Sequence, residues 1–598
     1  MCGIAGIHAY RDGAAPVDGD ELARIDERLR SRGPDGHARW RNADGRIAFA
    51  HRRLAIIDLS EGGAQPMHHA ASGHTIVFNG EIYNHQALRR ELHDGGASLR
   101  SSSDTEVLLR LFVERGPSML VLLRGMYALA IWSERERRLF LARDPLGIKP
   151  LYIADDGATL RFASQVKALL AGRVDAAPDA AGHAGFMLWG SVPEPYTLHR
   201  GIRAVPAGHG IEVRDGRVAA PVAFASPRET LAQGRVAGAS AGEAEDALRA
   251  NAEAVRSSVR AHMVADVPVG VFLSAGLDST MIAAAASAAG ELRTVTLGFD
   301  EYAGTPDDEA PLASEAARSL GARHQLCRIG AADFAADRDA ILAAMDQPSI
   351  DGVNVWFVAK AAARQGLKVA LSGLGGDELL GSYPSFEQVP RLHRALRGFG
   401  AFRGAGRLLR RAAAPACAAL TSPKYAGLLE YGSSMAGAYM LRRCLHMPWE
   451  LPGLIGDAMA RDGLQALATE PTLAASIEGI ASERLQVSAL EMQWYMRHQL
   501  LRDADWAGMA HSLEIRTPLA DMELLSNIVA LPQLGRANEK RAVARAVAPA
   551  LPAAILERPK TGFSIPTQRW LTAGLSARLG NHRQWAGYVY RHFTGAAA

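Results

Sequence analysis

Over the first 170 residues, apolar and polar positions trade places in short runs: "RIAFAHRRLAIID", "HTIVFNGEIYN", "GMYALAIWS", "RRLFLARD" and "ATLRFASQ". Helix-like spacing, as in "DTEVLLRLFVERG", interrupts them only occasionally. Strands clustered with few helices between them predict an α+β domain with antiparallel sheets. From about residue 220 to 242 bulky apolar residues thin out and Ala, Gly and Ser dominate, which predicts a linker. The pattern then changes. A long amphipathic helix, "AEDALRANAEAVRSSVRAHMV", leads into an apolar strand, "VPVGVFLS", a glycine turn and an alanine-rich helix. Further apolar strands, "RTVTLGF" and "LKVALSG", alternate with helices such as "VWFVAKAAARQ". Buried strands alternating with helices predict a parallel, doubly wound α/β sheet. From about Pro390 the chain reads as largely helical, and no internal repeat is visible. The expected division is 2–215 for the first domain, 216–242 for the linker, 243–575 for the second domain and 576–598 for a tail.

A chain of 598 residues is too long for one core, in keeping with two large domains. Its 66 basic and 63 acidic residues nearly cancel, so no global field favours nucleic acid or a membrane. One local exception is the segment Arg391 to Arg411, with seven arginines and no acid. A solvated helical face is the expectation there, and an anionic partner or substrate is the other reading. The four cysteines, Cys2, Cys327, Cys417 and Cys444, form no CxxC pair, which argues against a disulfide framework or structural zinc. No apolar run approaches the roughly 18 residues of a membrane span, and no signal-peptide pattern opens the chain. A cytoplasmic protein is expected.

The chain opens "MCGIAGI". Removal of Met1 ahead of a small residue leaves Cys2 with a free α-amino group, whose pKa near 8 suits it to serve as base for the thiol. That is the N-terminal variant of a nucleophile paired with its base. "FNGEIYN" puts Asn79 and Gly80 at a strand end, where a side-chain amide and a backbone N–H can form an oxyanion hole. Arg53 in "HRRLAIID" offers a fork for a carboxylate, and Asp104 in "SSSDTE" a partner for an ammonium. Taken singly, a buried cysteine and ordinary surface charges are the competing readings.

Together these pieces carry a resemblance. "MCGIAG", "RGPDG", "HRRLAIIDLS", "FNGEIYNH", "DTE" and "ARDPLGIKPLY", in that order over residues 2 to 210, resemble the glutaminase domain of class II glutamine amidotransferases. The resemblance implies an N-terminal nucleophile sandwich in which Cys2 attacks the glutamine side-chain amide and releases ammonia. It also assigns Asn79 and Gly80 to the oxyanion hole, and Arg53, Asn79, Glu81 and Asp104 to glutamine.

In the second domain, "FLSAGLDST" ends a strand at Ser274, turns on glycine and starts a helix near Asp278. Backbone N–H groups at such a helix start, with the hydroxyls of Ser274, Ser279 and Thr280, form an anion cradle. It lacks the Gly-Lys-Ser/Thr ending of a Walker loop. An aspartate within the cradle makes sense when a cation accompanies the phosphates, so Asp278 points to Mg²⁺. A Ser/Gly turn capping a helix is the competing reading of the motif alone. The motif resembles the SGGxDS loop of N-type ATP pyrophosphatases, with Ala275 in place of one glycine. With "TVTLGFD", "LSGLGGDE", "DADWAGMAHSLEIRTPLAD" and "RPKTGFSIP", it resembles the synthetase domain of asparagine synthetases from about Ala244 to Trp570. That resemblance implies ATP on Leu273, Ser274, Gly276, Asp278, Ser279, Leu297, Ser372 and Gly373. It places Mg²⁺ on Asp278 and Asp377, and Lys560 against the charge of departing pyrophosphate. It also implies an ammonia tunnel between the two halves and a homodimer.

Two positions depart from the family pattern. Leu374 stands where asparagine-forming members carry an acidic residue implicated in adenylation and proton handling, and a leucine can neither bond nor take a proton. Glu378 is the nearest replacement. Gln165 stands where members usually carry Glu. Aspartate is therefore the default acceptor, with another carboxylate, in polysaccharide or natural-product assembly, as the alternative. A glutaminase-like binding or regulatory protein without ligase activity is the reading from another class.

Overall fold

The computed structural model describes residues 2–234, 241–420, 422–531, 539–558, 566, 570 and 581–595. In the strand Gly3–Ala9, successive side chains point to opposite faces. Ile4 joins Ile47, Phe49, Val77, Ala128 and Leu141 in the layer between two sheets. Ala5 and Ile7 instead meet Leu22 and Ile25 of the helix Gly19–Arg28. The first sheet is antiparallel and runs Arg203–Ala204, Tyr152–Asp155, Thr159–Ala163, Gly3–Ala9, Ile47–Arg53, Gly36–Arg41. The second centres on His74–Ile82, Gly125–Ser133, Arg138–Arg143 and His209–Arg214, again antiparallel. Helices His85–Asp94 and Asp104–Arg115 cover its outer face through Leu88, Leu92, Leu108 and Phe112. The result is the expected sandwich, with antiparallel sheets between helices. Residues 216–242, read as a linker, contain two short strands paired to His209–Arg214 and the helix Pro227–Ala232.

The second half is built on a parallel sheet in the order Arg323–Ile329, Arg293–Phe299, Val269–Phe272, Val369–Leu371, Glu514–Arg516. Helices Ala241–His262 and Leu277–Ser287 pack on one face, and Val353–Arg364 and Arg502–Ala510 on the other. Strand order reverses at Val269–Phe272: the chain goes one way to Arg293–Phe299 and later the other way to Val369–Leu371. Ligands of open α/β sheets bind at such a switch point, beyond the carboxyl ends of the strands. Two strands escaped the sequence reading. Arg323–Ile329 is a half-exposed edge, and Glu514–Arg516 is mostly charged yet fully buried. Beyond Pro384 the described chain is helical apart from that strand, and the helical run widens to π-helical turns over Glu491–Leu501. Residues 576–598, read as a tail, include the helix Asn581–Thr594, which buries Trp585 and Val589 against Phe334 and Leu342.

Two candidate active sites and the wall between them

Cys2 lies just ahead of the first strand and is buried. Its nitrogen donates to Asn79 Oδ1 at 3.0 Å, and its Sγ lies 4.0 Å from the Leu54 carbonyl oxygen. Burial pushes the thiol above its ordinary value. Asn79 is itself fully buried, and its Nδ2 has no hydrogen-bond partner among the described residues. An orphaned buried donor is costly unless a ligand meets it. Gly80 follows at φ +153, and a Cβ there would lie 2.1 Å from the Met126 carbonyl oxygen, so only glycine fits.

Asp104 opens the helix Asp104–Arg115 and turns its Oδ2 toward the Ile82 N–H at 3.1 Å. Glu81 is buried beside it, and desolvation followed by the charges of Glu514 and Asp104 raises it well above the usual carboxylate range. The guanidinium of Arg53 donates to the carbonyls of Ser60, at 2.8 Å, and Asp58. The predicted glutamine residues thus share one end of the sandwich, with the Arg53 fork engaged by its own loop.

The second site is a cavity of about 840 Å³ at the switch point. All nine synthetase positions predicted within the described residues line it: Leu273, Ser274, Gly276, Asp278, Ser279, Leu297, Ser372, Gly373 and Asp377. Lys560 lies outside the described residues. Val271 pairs in register with Leu371, so the two loops leave their strands at one level. Their close approach requires glycine: a Cβ on Gly376 would fall 2.2 Å from Asp278 Oδ1. Ser279 Oγ holds the first loop, meeting Ser274 Oγ at 2.9 Å and the Ser274 N–H at 3.1 Å. Thr280 does not serve the cradle; it is buried and donates to the Gly276 carbonyl at 2.7 Å.

Lys540 was missed by sequence reasoning. Its Nζ is ion-paired with both Asp278 and Asp377 and lies 3.2 Å from Ser382 Oγ. Burial works against its charge, but the two aspartates outweigh that and raise its pKa. Its surroundings in sequence, "EKRAVARAV", read only as a basic helix start. Two carboxylates converging on one cation beside a helix N-terminus fit Mg²⁺, which is commonly held by one or two carboxylates plus phosphate. No group of three or more His, Cys, Asp or Glu suited to a metal occurs among the described residues. Leu374 also lines the cavity, together with Asp351, Asn354, Tyr383, Arg484 and Tyr495. Asp351 has no ion-pair partner among the described residues, and burial raises it. Arg443 stacks 4.6 Å from the Tyr383 ring and 4.0 Å from that of Tyr495, fixing this wall from behind.

Between the sites stands a buried, charged wall. Arg516 donates through Nε to Glu514 Oε1 at 2.6 Å, and its Nη2 lies 3.6 Å from Glu81. Its carbonyl accepts the Ser372 N–H at 2.8 Å, so one residue touches both sites. Arg32 donates to the Cys2 carbonyl at 3.0 Å and grips Asp505 bidentately at 2.6 and 2.9 Å. Beside the wall, Leu54, Ile56, Met126 and Ile148 of the first half form one apolar cluster with Leu371, Leu379, Met492 and Leu519 of the second. Gln165 is buried, with Oε1 unpartnered among the described residues.

Sequence comparison agrees with this division. Residues 1–223 match the glutamine amidotransferase domain family, and residues 250–592 match the asparagine synthase family. A Mycobacterium tuberculosis relative, provisionally named a glutamine-hydrolyzing asparagine synthetase, is 35% identical over 96% of this chain and 89% of its own. Asparagine synthetase (glutamine-hydrolyzing) 1 of Bacillus subtilis is 29% identical over 99% of this chain and 92% of its own. Asparagine synthetase B (glutamine-hydrolyzing) of Escherichia coli is 31% identical over 65% of this chain and 66% of its own.

Proposed function

Because the chain belongs to the asparagine synthetase family of enzymes, we propose that it transfers the amide nitrogen of glutamine to a carboxylate activated by ATP, with aspartate as acceptor and asparagine, AMP and pyrophosphate as products. In this reading the α-amine of Cys2 takes the thiol proton, and Sγ attacks the glutamine amide carbon. Asn79 Nδ2 and the Gly80 N–H receive the developing oxyanion, and Arg53, Asn79, Glu81 and Asp104 hold glutamine; the nitrogen takes the proton from the α-ammonium and leaves as NH₃, and water then cleaves the thioester to glutamate and the free thiol. Only the neutral form can attack an acyl-adenylate, and the apolar cluster joining Leu54 to Leu371 keeps bulk water from the boundary between the two halves.

At the second site the backbone of Ser274–Ser279, with Ser372 and Gly373, cradles the phosphates, and Leu273 and Leu297 flank adenine. Asp278 and Asp377 are the residues that would hold Mg²⁺, which supplies charge neutralisation on the phosphates. Lys540 faces the same charge, and Lys560 is assigned there by the family resemblance. Asp351, a cavity-wall carboxylate with no ion-pair partner among the described residues, suits the ammonium of an amino-acid acceptor. The observation that carries the proposal is the convergence of Asp278, Asp377 and Lys540 at the switch point, with Arg516 reaching from there to Glu81. A cytoplasmic location belongs to the same reading; no described helix is long and apolar enough to cross a membrane.

Leu374 favours a second reading, in which another carboxylic acid is amidated, because it lays an apolar side chain in the cavity. A screen of carboxylic acids for acid-dependent pyrophosphate release separates the two. Aspartate is expected to stimulate release. Silence with aspartate and release with another acid selects the second reading, and ADP in place of AMP and pyrophosphate overturns both.

A further inference from the structure

The arginine-rich segment Arg391–Arg411 exposes most of its charges, as a solvated face would, but it exposes apolar side chains among them. In the helix Arg403–Leu420, Arg403 and Arg410 lean onto the protein while Arg407 and Arg411 stay exposed: Arg403 Nε donates to the Glu430 carbonyl at 3.0 Å. Arg410 Nε reaches Glu430 Oε2 at 2.7 Å and stacks 4.4 Å from the Trp449 ring. Gly406 marks the packed side, since a Cβ there would meet the Glu430 backbone at 2.9 Å. The outward side carries Leu408 at 66% exposure and Leu409 at 54%, with Ala401, Gly404, Ala405 and Ala412 also exposed. The preceding turn adds Phe399 and Phe402, 49% and 62% exposed, with ring centroids 6.5 Å apart. Four of the ten large apolar side chains that are exposed among the described residues fall within these eleven positions, so the cluster is not the usual scatter of single exposed residues.

The rim around this apolar face is basic. Glu387, Glu430, Glu470 and Glu483 are the acids that pair with arginines of the segment, four against seven. Exposed Arg397 and Arg411 have no acidic partner among the described residues. The exposed pairs, such as Arg391 with Glu387 at 3.2 Å, hold their charges weakly. A twofold dimer on this face would set the basic rim against its own copy, because an isologous contact places a patch on itself. Aromatic and leucine side chains at the centre of a basic helical surface match the interfacial region of an anionic bilayer.

We propose that the face formed by Phe399, Phe402, Leu408 and Leu409, rimmed by Arg397 and Arg411, docks this enzyme peripherally on an anionic lipid surface. The face lies on the hairpin that follows the loop bearing Tyr383, a wall of the synthetase cavity. The inference does not depend on which carboxylate is the acceptor. Co-sedimentation of the full-length protein with vesicles tests it directly. Binding to phosphatidylcholine vesicles containing phosphatidylglycerol, and none to phosphatidylcholine alone, is expected. The double variant Arg397→Ala/Arg411→Ala should weaken partitioning about 25-fold, about fivefold for each arginine. Phe402→Ser/Leu408→Ser should abolish it with Tm unchanged. No partitioning into the anionic vesicles overturns the proposal, as does partitioning that neither variant alters. A concentration-dependent dimer dispersed by Leu408→Asp assigns the face to a second copy and also overturns it.

Discussion

The two candidate sites are organised by different physics. Around Cys2 the parts are neutral or singly charged groups fixed by backbone strands, and the decisive feature is a buried amide nitrogen with nothing to bond among the described residues. Around Asp278 the parts are charges held in balance, two carboxylates on one lysine in a wide cavity. A preorganised dipole suits a reaction that develops one oxyanion, since it needs no reorganisation when charge appears. A cluster of opposite charges suits a site that must admit a highly charged nucleotide, because the cluster can exchange partners as phosphate arrives. What separates them is a wall in which Arg516 reaches both sites and Arg32 holds the Cys2 carbonyl.

The largest expected effect breaks the comparison on one side only. Cys2→Ala should remove glutamine-driven product by about 10³-fold or more while ammonium-driven product persists; loss of both would disprove separate sites. Lys540→Met is the mirror image. It should cut pyrophosphate release by about 10³-fold with either nitrogen source, leaving glutamine hydrolysis in place. Asn79→Ala should lower glutaminase kcat by about 10²-fold, the usual cost of one oxyanion donor, with ammonium-driven synthesis untouched.

Asp505→Asn attacks the wall. It leaves Arg32 buried without its counter-charge, at a cost of about 3 kcal/mol in unfolding free energy. Because Arg32 also holds the Cys2 carbonyl, glutamate should then form in excess of the amide product. A ratio that stays at one would mean that the ion pair only stabilises.

The last effect concerns pH. His51, His262 and His498 are held near 3, 4 and 3, chiefly by burial. Their folded values lie below the unfolded value near 6.5, so the unfolded chain binds more protons between those limits. Their contribution is fully present above about pH 6.5 and is lost as pH falls toward those folded values, by about 1.4 kcal/mol per pH unit for each histidine. Denaturant midpoints measured from about pH 7.5 down to 5 should fall; a flat profile would contradict the buried, neutral state.

Much of this is legible in the order of residues alone. The switch from short strands with few helices to strands alternating with helices gives the two sheet types, because burial on one face or on both leaves its own period. Motif glycines are equally legible, since Gly80 and Gly376 sit where a side chain would strike backbone or Asp278. Lys540 is not. A lysine on a basic helix looks like any other until the fold brings it to two carboxylates more than 160 residues away in sequence. The strand Glu514–Arg516 escapes for a related reason: its charges are buried only because partners from both halves meet them. In Arg391–Arg411 composition reads the exposed charge, but not the pairings of Arg403, Arg407 and Arg410, because the acids that meet them lie outside the segment.

By itself the sequence determined the two kinds of sheet, the candidate nucleophile, the candidate phosphate loops and the leucine at position 374. Each is a local requirement, a side-chain chemistry or a backbone angle that only certain residues meet. The tertiary structure alone decided which charges pair. Pairing energies depend on distance and burial, and those exist only once distant segments have been brought together.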